Sequence, residues 1–173
     1  GIDVELKWRA FLLNPSIPKS GIDRKQYLLA KFGHAASSVY NRIEQAGKET
    51  GINFNFEGIT RTPDSRSIHE ILISSGVNGY QLSELFFRAY FLDGKDISNF
   101  EIQEEILELF GPKLFVSQEK TIAAKQTLDF DLKQANHLGI DGVPFFVFNG
   151  QISLAGAHPE HILLTTIDAS ISG

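Results

Sequence analysis

Apolar and polar positions alternate at the start of the chain, in "IDVELKWRAFLLNP": Val4, Leu6 and Trp8 fall on one side, Glu5, Lys7 and Arg9 on the other. A period of two predicts a strand, stopped by Asn14-Pro15 and Pro18. From Asp23 onward the spacing becomes helical. Asp23 is placed to cap "RKQYLLAKFG", which Gly33 closes. "AASSVYNRIEQAGKETG" then lines up Ala36, Val39, Tyr40, Ile43 and Gly47 and ends on Gly51. "INFNF" alternates again, with Ile52, Phe54 and Phe56 on one side, and reads as a short strand or an extended connection.

Helical spacing resumes in "TPDSRSIHEILISSG", where Asp64 or Ser65 can satisfy the orphan amides of the first turn. "YQLSELFFRAYFLDG" carries Leu82, Leu85, Phe86, Ala89 and Tyr90 along a stripe wide enough to imply burial on more than one side. "SNFEIQEEILELFG" follows with Ser98 as its expected cap. "SQEKTIAAKQTLDFDLKQANHLG" then places Ala124, Leu128, Asp131, Leu132, Ala135 and Leu138 on one face, apolar except for Asp131. After Gly139 the period returns to two. "VPFFVFN" and "QISLAGA" are separated by little more than Asn149-Gly150, a strong hairpin signal. In "PEHILLTTIDASIS", Pro159 suits the first helical position and Ile162, Leu163, Ile167 and Ile171 face inward. The order is strand, long helical block, strand hairpin, helix, with no repeat and no low-complexity linker.

Composition narrows the function classes. A net charge of -5 with scattered basic residues offers no footprint for a phosphate backbone, so no nucleic-acid partner is expected. No apolar run reaches a membrane span, and no signal peptide is visible. The chain has no cysteine, which excludes disulfides, thiolate metal sites and cysteine nucleophiles within it. It also has no methionine, not even at position 1, which points to a trimmed, processed or engineered beginning.

The stretches "WRAFLLNP", "PDSRSIHE", "LFFRAYFLDGKDISN" and "GIDGVPFFVFNGQISLAGAHPE" resemble, in order and spacing, the DsbA-like thioredoxin-domain proteins. The nearest branch is the FrnE-type subgroup, related to hydroxychromene carboxylate isomerases and kappa-class glutathione transferases. The resemblance implies an α/β, thioredoxin-like fold with a large helical insertion, missing its first strand and helix in this chain. On that reading residues 1–15 and 138–173 form an incomplete thioredoxin-like portion, and residues 16–137 form a mainly helical insertion plus connecting helix. It further implies a thiol-disulfide oxidoreductase whose Cys-x-x-Cys is absent here, so the chain itself has no catalytic residue and should be inactive in thiol exchange.

Within the family the loop matching "GVP" holds a cis-proline, so Val143-Pro144 is the expected cis bond, with the Val143 backbone free to pair with an extended peptide. Val143, Pro144 and, on a matching helix position, His69 are the candidate substrate-binding residues. Related proteins often carry Pro-Asn-Thr where Asp64 and Ser65 stand here. His158 and His161, three apart, make a poor zinc site without a third ligand, and no metal is expected. No cofactor is implied, except glutathione if the chain belongs to the isomerase and transferase branch. Two alternatives remain, that branch and a binding module without redox chemistry. The implied partner is a protein or peptide thiol or disulfide, in the cytoplasm and not at a membrane. A homodimer through an exposed strand edge is a further expectation.

Overall fold

A computed structural model describes residues 2–76, 79–111 and 118–172. The chain divides into two units, one built from Gly1–Trp8 and Asn14–Leu128, the other from Arg9–Leu13 and Asp129–Gly173.

The first unit is helical. A short bridge pairs β1 (Ile22–Asp23) antiparallel with β2 (Arg61–Thr62). Asp23 accepts the Gln26 N–H at 2.9 Å and so caps α1 (Arg24–Phe32), which ends at Gly33. A turn of 3-10 helix leads into α2 (Ala36–Glu49). Here Gly47 has a steric reason: a Cβ would lie 2.6 Å from the Phe54 ring and 2.8 Å from the Ile52 carbonyl. Residues 52–55 are therefore an extended connection folded back on α2, and "INFNF" forms no strand.

At α3 (Arg66–Ser74) the capping expectation resolves in favour of Asp64. Its carboxylate accepts the Arg66 N–H at 3.2 Å and the Arg66 guanidinium at 2.9 Å, while the Ser65 side chain caps nothing. α4 (Gly79–Phe87) continues into a π-helical turn at Arg88–Leu92, closed by the Asp93 N–H to the Arg88 carbonyl at 3.0 Å. α5 (Phe100–Phe110) is capped by Asn99, which accepts the Glu101 N–H at 2.8 Å. The expected cap, Ser98, instead binds Asp96 at 2.5 Å. These elements enclose a core of Ile59, Ile68, Leu82, Phe86, Ala89, Tyr90, Ile97 and Ile106.

Two polar ties brace that core. The buried Arg24 guanidinium donates to Thr62 Oγ1 at 3.1 Å and to the Tyr40 hydroxyl at 2.5 Å. Tyr90 donates to the Arg61 carbonyl at 3.2 Å. Burial pushes the Tyr90 phenol above its ordinary pKa, against a smaller downward pull from Arg24.

α6 (Gln118–His137) starts in the first unit and ends in the second, with the change at Leu128. Ser117, the first residue of its sequence pattern, lies outside the described residues. Ala124, Leu128, Asp131 and Ala135 are buried as their spacing predicts, whereas Leu138, past the helix end, is exposed. The second unit is completed by β3 (Phe145–Phe148), β4 (Ile152–Ala155) and α7 (Glu160–Ser172). Pro159 precedes α7 rather than opening it; its carbonyl accepts the Ile162 N–H at 3.0 Å. Ile171, expected inside, is 54% exposed, and Ser170 is the buried residue of that last turn.

The opening segment departs most from expectation. It pairs with no strand among the described residues, and Val4, Leu6 and Trp8 are all exposed, while Ala10 and Leu12 are buried. Alternation makes a segment suitable for a sheet but supplies no partner for its N–H and C=O groups. Trp8 stacks instead on Tyr80, with ring centroids 5.8 Å apart.

Candidate functional site

The second unit places Val143 and Pro144 in one loop, directly ahead of β3. Both are exposed, and the peptide bond between them is cis. Asn149 and Gly150 turn the chain with φ values of 50° and 70°, and the Gln151 N–H closes the turn on the Phe148 carbonyl at 3.0 Å. Two successive positive φ angles are what a type I′ turn requires, and Asn-Gly supplies them at little cost. The Asn149 amide also donates to the Ser170 carbonyl at 3.0 Å, tying the turn to the end of α7.

The direction of each backbone group in β3 follows from two observations. The register pairs Phe145 with Ala155, Phe146 with Leu154, Val147 with Ser153 and Phe148 with Ile152. One step earlier, the Gly156 N–H donates to the Pro144 carbonyl at 2.8 Å. Hydrogen-bonded and non-bonded pairs alternate in an antiparallel ladder, so Pro144, Phe146 and Phe148 turn their backbone groups toward β4. Phe145 and Val147 turn theirs to the opposite edge, where no described residue pairs with them. The missing N–H of Pro144 faces β4 and leaves the outer row of donors intact. No described residue bonds to the Val143 N–H or C=O either.

Side chains follow the same parity. Phe146 and Phe148 share one face, with ring centroids 6.2 Å apart. On the other face Phe145 and Val147, together with Leu138 and the turn residues, line a cleft of about 120 Å³.

Asp131 holds the remaining piece of this unit. Its carboxylate is 3% exposed and accepts the Arg9 guanidinium at 3.1 Å and the Ala10 N–H at 3.0 Å. A buried carboxylate with both oxygens engaged accounts for the polar interruption in the apolar stripe of α6. The interruption was visible in the sequence, but its partners, more than a hundred residues away, were not. Asn149 likewise has a turn signal in the sequence, but nothing there marks its bond to Ser170.

His69 does not join this group in sequence or element; it sits half-buried on α3 in the first unit. His158 is bonded through a ring nitrogen to the Ala155 carbonyl at 3.1 Å. Among the described residues no group of three His, Asp or Glu side chains could hold a metal ion, and no helix is long and apolar enough to cross a membrane.

Residues 2–168 match the DSBA-like thioredoxin domain, and the chain belongs to that family. A Streptomyces coelicolor protein named as a probable DsbA oxidoreductase has a similar structure, with a TM-score of 0.76 and 20% identity over 95% of this chain and 74% of its own. A Nitrosomonas europaea protein classed provisionally as a protein disulfide isomerase gives 0.63 and 18%, covering 79% of this chain and 73% of its own. No curated protein matches the chain. The fold is thus a mostly helical α/β domain of the DsbA-like thioredoxin type, and the Cys-x-x-Cys of thiol exchange is absent from this cysteine-free sequence.

Proposed function

We propose that this chain is the substrate-docking and helical part of a thiol-disulfide oxidoreductase, whose reactive Cys-x-x-Cys belongs to a strand and helix not found in these residues. The observation that carries the reading is the Val143-Pro144 loop in a chain of this family: Val143 is exposed, its backbone has no described partner, and the strand that follows lines a small cleft of mixed polarity. An extended peptide can bond to the Val143 backbone as to an added strand. No side chain here can perform the exchange, because the attacking group must be a thiolate. That same absence of sulfur favours a second reading, a docking module without redox chemistry. The glutathione-dependent branch gains no comparable support, since Asp64 is 7% exposed and committed to Arg66.

Insulin reduction separates the two readings. The polypeptide encoded together with the region upstream of Gly1 should reduce insulin, and the 173-residue chain should not. Lack of activity in the longer protein would leave only the docking module. Failure of reduced, unfolded peptides to shift the Val143 amide resonance would remove both.

A further inference from the structure

β4 has an outer edge of its own, and whatever pairs with the far side of β3 leaves it untouched, because β3 lies between the two. We infer that the His158 side chain closes this edge and stops a second copy of β4 from adding to the sheet, independently of any docking at Val143. Direction supplies the first argument. The Gly156 N–H bonds to the Pro144 carbonyl, so the next pair, Phe145 with Ala155, is of the non-bonded kind. Ala155 therefore turns its N–H and C=O away from β3, and Ser153 does the same. The His158 ring nitrogen Nε2 lies 3.1 Å from that outward Ala155 carbonyl. A carbonyl oxygen only accepts, so Nε2 carries the hydrogen and donates, in the neutral ring and in the imidazolium alike.

The local sequence builds this contact. Gly156 takes a φ of 88°, which turns the chain back toward the strand it has just left. The space at its Cβ position is open, so the backbone conformation alone calls for glycine. Pro159 then restricts the His158 backbone to extended conformations. Need supplies the second argument. No charged residue and no histidine occurs from Gly142 to Ala157, and β4 carries neither the lysine nor the proline that usually keeps a strand edge single. Without a guard, a two-fold axis at Leu154 would set Ser153 opposite Ala155 of a second copy. Such a pair exchanges N–H···O=C bonds in both directions, and one of its acceptors is an Ala155 carbonyl. His158 already occupies that acceptor, and its ring stands where the incoming N–H would have to come.

Sedimentation velocity on the 173-residue chain tests this, read as the change in self-association relative to wild type. His158→Ala should associate at least ~10-fold more tightly, the scale expected when backbone acceptors are released at a seam. His158→Gln, whose amide can still donate to Ala155, should stay near wild type. Adding Ser153→Lys to His158→Ala should abolish the gain, whereas adding Val147→Lys, on the other strand of the hairpin, should not. In His158→Ala the Ser153 and Ala155 amides should also become better protected from exchange as protein concentration rises. Circular dichroism checks that each variant is folded; if His158→Ala is not, His158→Ser, too short to reach Ala155, takes its place. Association of His158→Ala no tighter than wild type, a gain that survives Ser153→Lys, or His158→Gln behaving like alanine overturns the proposal.

Discussion

The two units both expose large apolar side chains, Trp8, Phe100 and Leu109 among those of the first, but they differ in how much they enclose. In the first, one cluster around Leu82 and Phe86 is closed by helices, with Leu82 at 0% exposure. In the second, Phe130, Leu138, Val143, Val147, Leu164 and Ile171 are all half exposed or more, and the sheet found among its described residues has two strands. The contrast teaches that a local helical pattern can complete a core from neighbouring segments, whereas a strand pattern needs partners that the sequence does not place next to it. The first unit rests on the larger enclosed cluster, braced by the ties of Arg24 and Tyr90. The second encloses less, Ala10, Leu12 and Ala135 among it, and adds the directional ties of Asp131 and Asn149.

The largest expected effect follows from that difference. Leu82→Ala should destabilise the first unit by about 2–5 kcal/mol, the usual cost of a cavity at a fully enclosed leucine. Leu164→Ala on α7, 53% exposed, should cost well under about 1 kcal/mol. Paired urea melts check this; equal losses would break the comparison. Next comes Asp131→Ala, which strips acceptors from Arg9 and Ala10. A loss of about 1–3 kcal/mol is expected, with faster exchange of the Ala10 amide. Unchanged exchange would show that the clamp does not hold residues 9–13.

Asn149→Ala sharpens the same point at the turn. It loses the bond to Ser170 and places a less tolerant residue at φ 50°, so a loss of about 1 kcal/mol is expected in thermal melts. Asn149→Gly should recover the turn but not the tie, and so fall between alanine and wild type.

The smallest effect concerns pH. The Tyr90 phenol titrates above 10.0 in the folded chain because it is buried. Its contribution to stability is complete below the unfolded value and is lost as pH rises through the folded one. The alkaline decline in stability should therefore be shallower in Tyr90→Phe than in wild type. An identical slope would mean that the phenol is not desolvated.

Legibility in the sequence divides along the same line. The helices were readable because their caps and stripes are local: Asp23 bonds Gln26, Gly33 ends α1, and Ala124, Leu128 and Ala135 share a buried face. The hairpin was readable from Asn149-Gly150 for the same reason. What failed was non-local. Strand-like alternation before Trp8 could not reveal that no described strand lies beside it. The bridge between Ile22–Asp23 and Arg61–Thr62 left no pattern at all, and neither did Arg24 reaching Tyr40 and Thr62. Of the candidate site, the Val143-Pro144 loop came from family resemblance, and its outward neighbours Phe145 and Val147 emerged only once the register was known.

Residue-resolved amide exchange along β3, at a protein concentration low enough to exclude association, tests the open edge most directly. The N–H groups of Phe146 and Phe148 should exchange slowly, and those of Phe145 and Val147 at least ~10-fold faster, because the first pair bonds to β4 and the second faces water. Equal protection at all four positions would contradict the account, since it would mean that the outer edge of β3 is already paired.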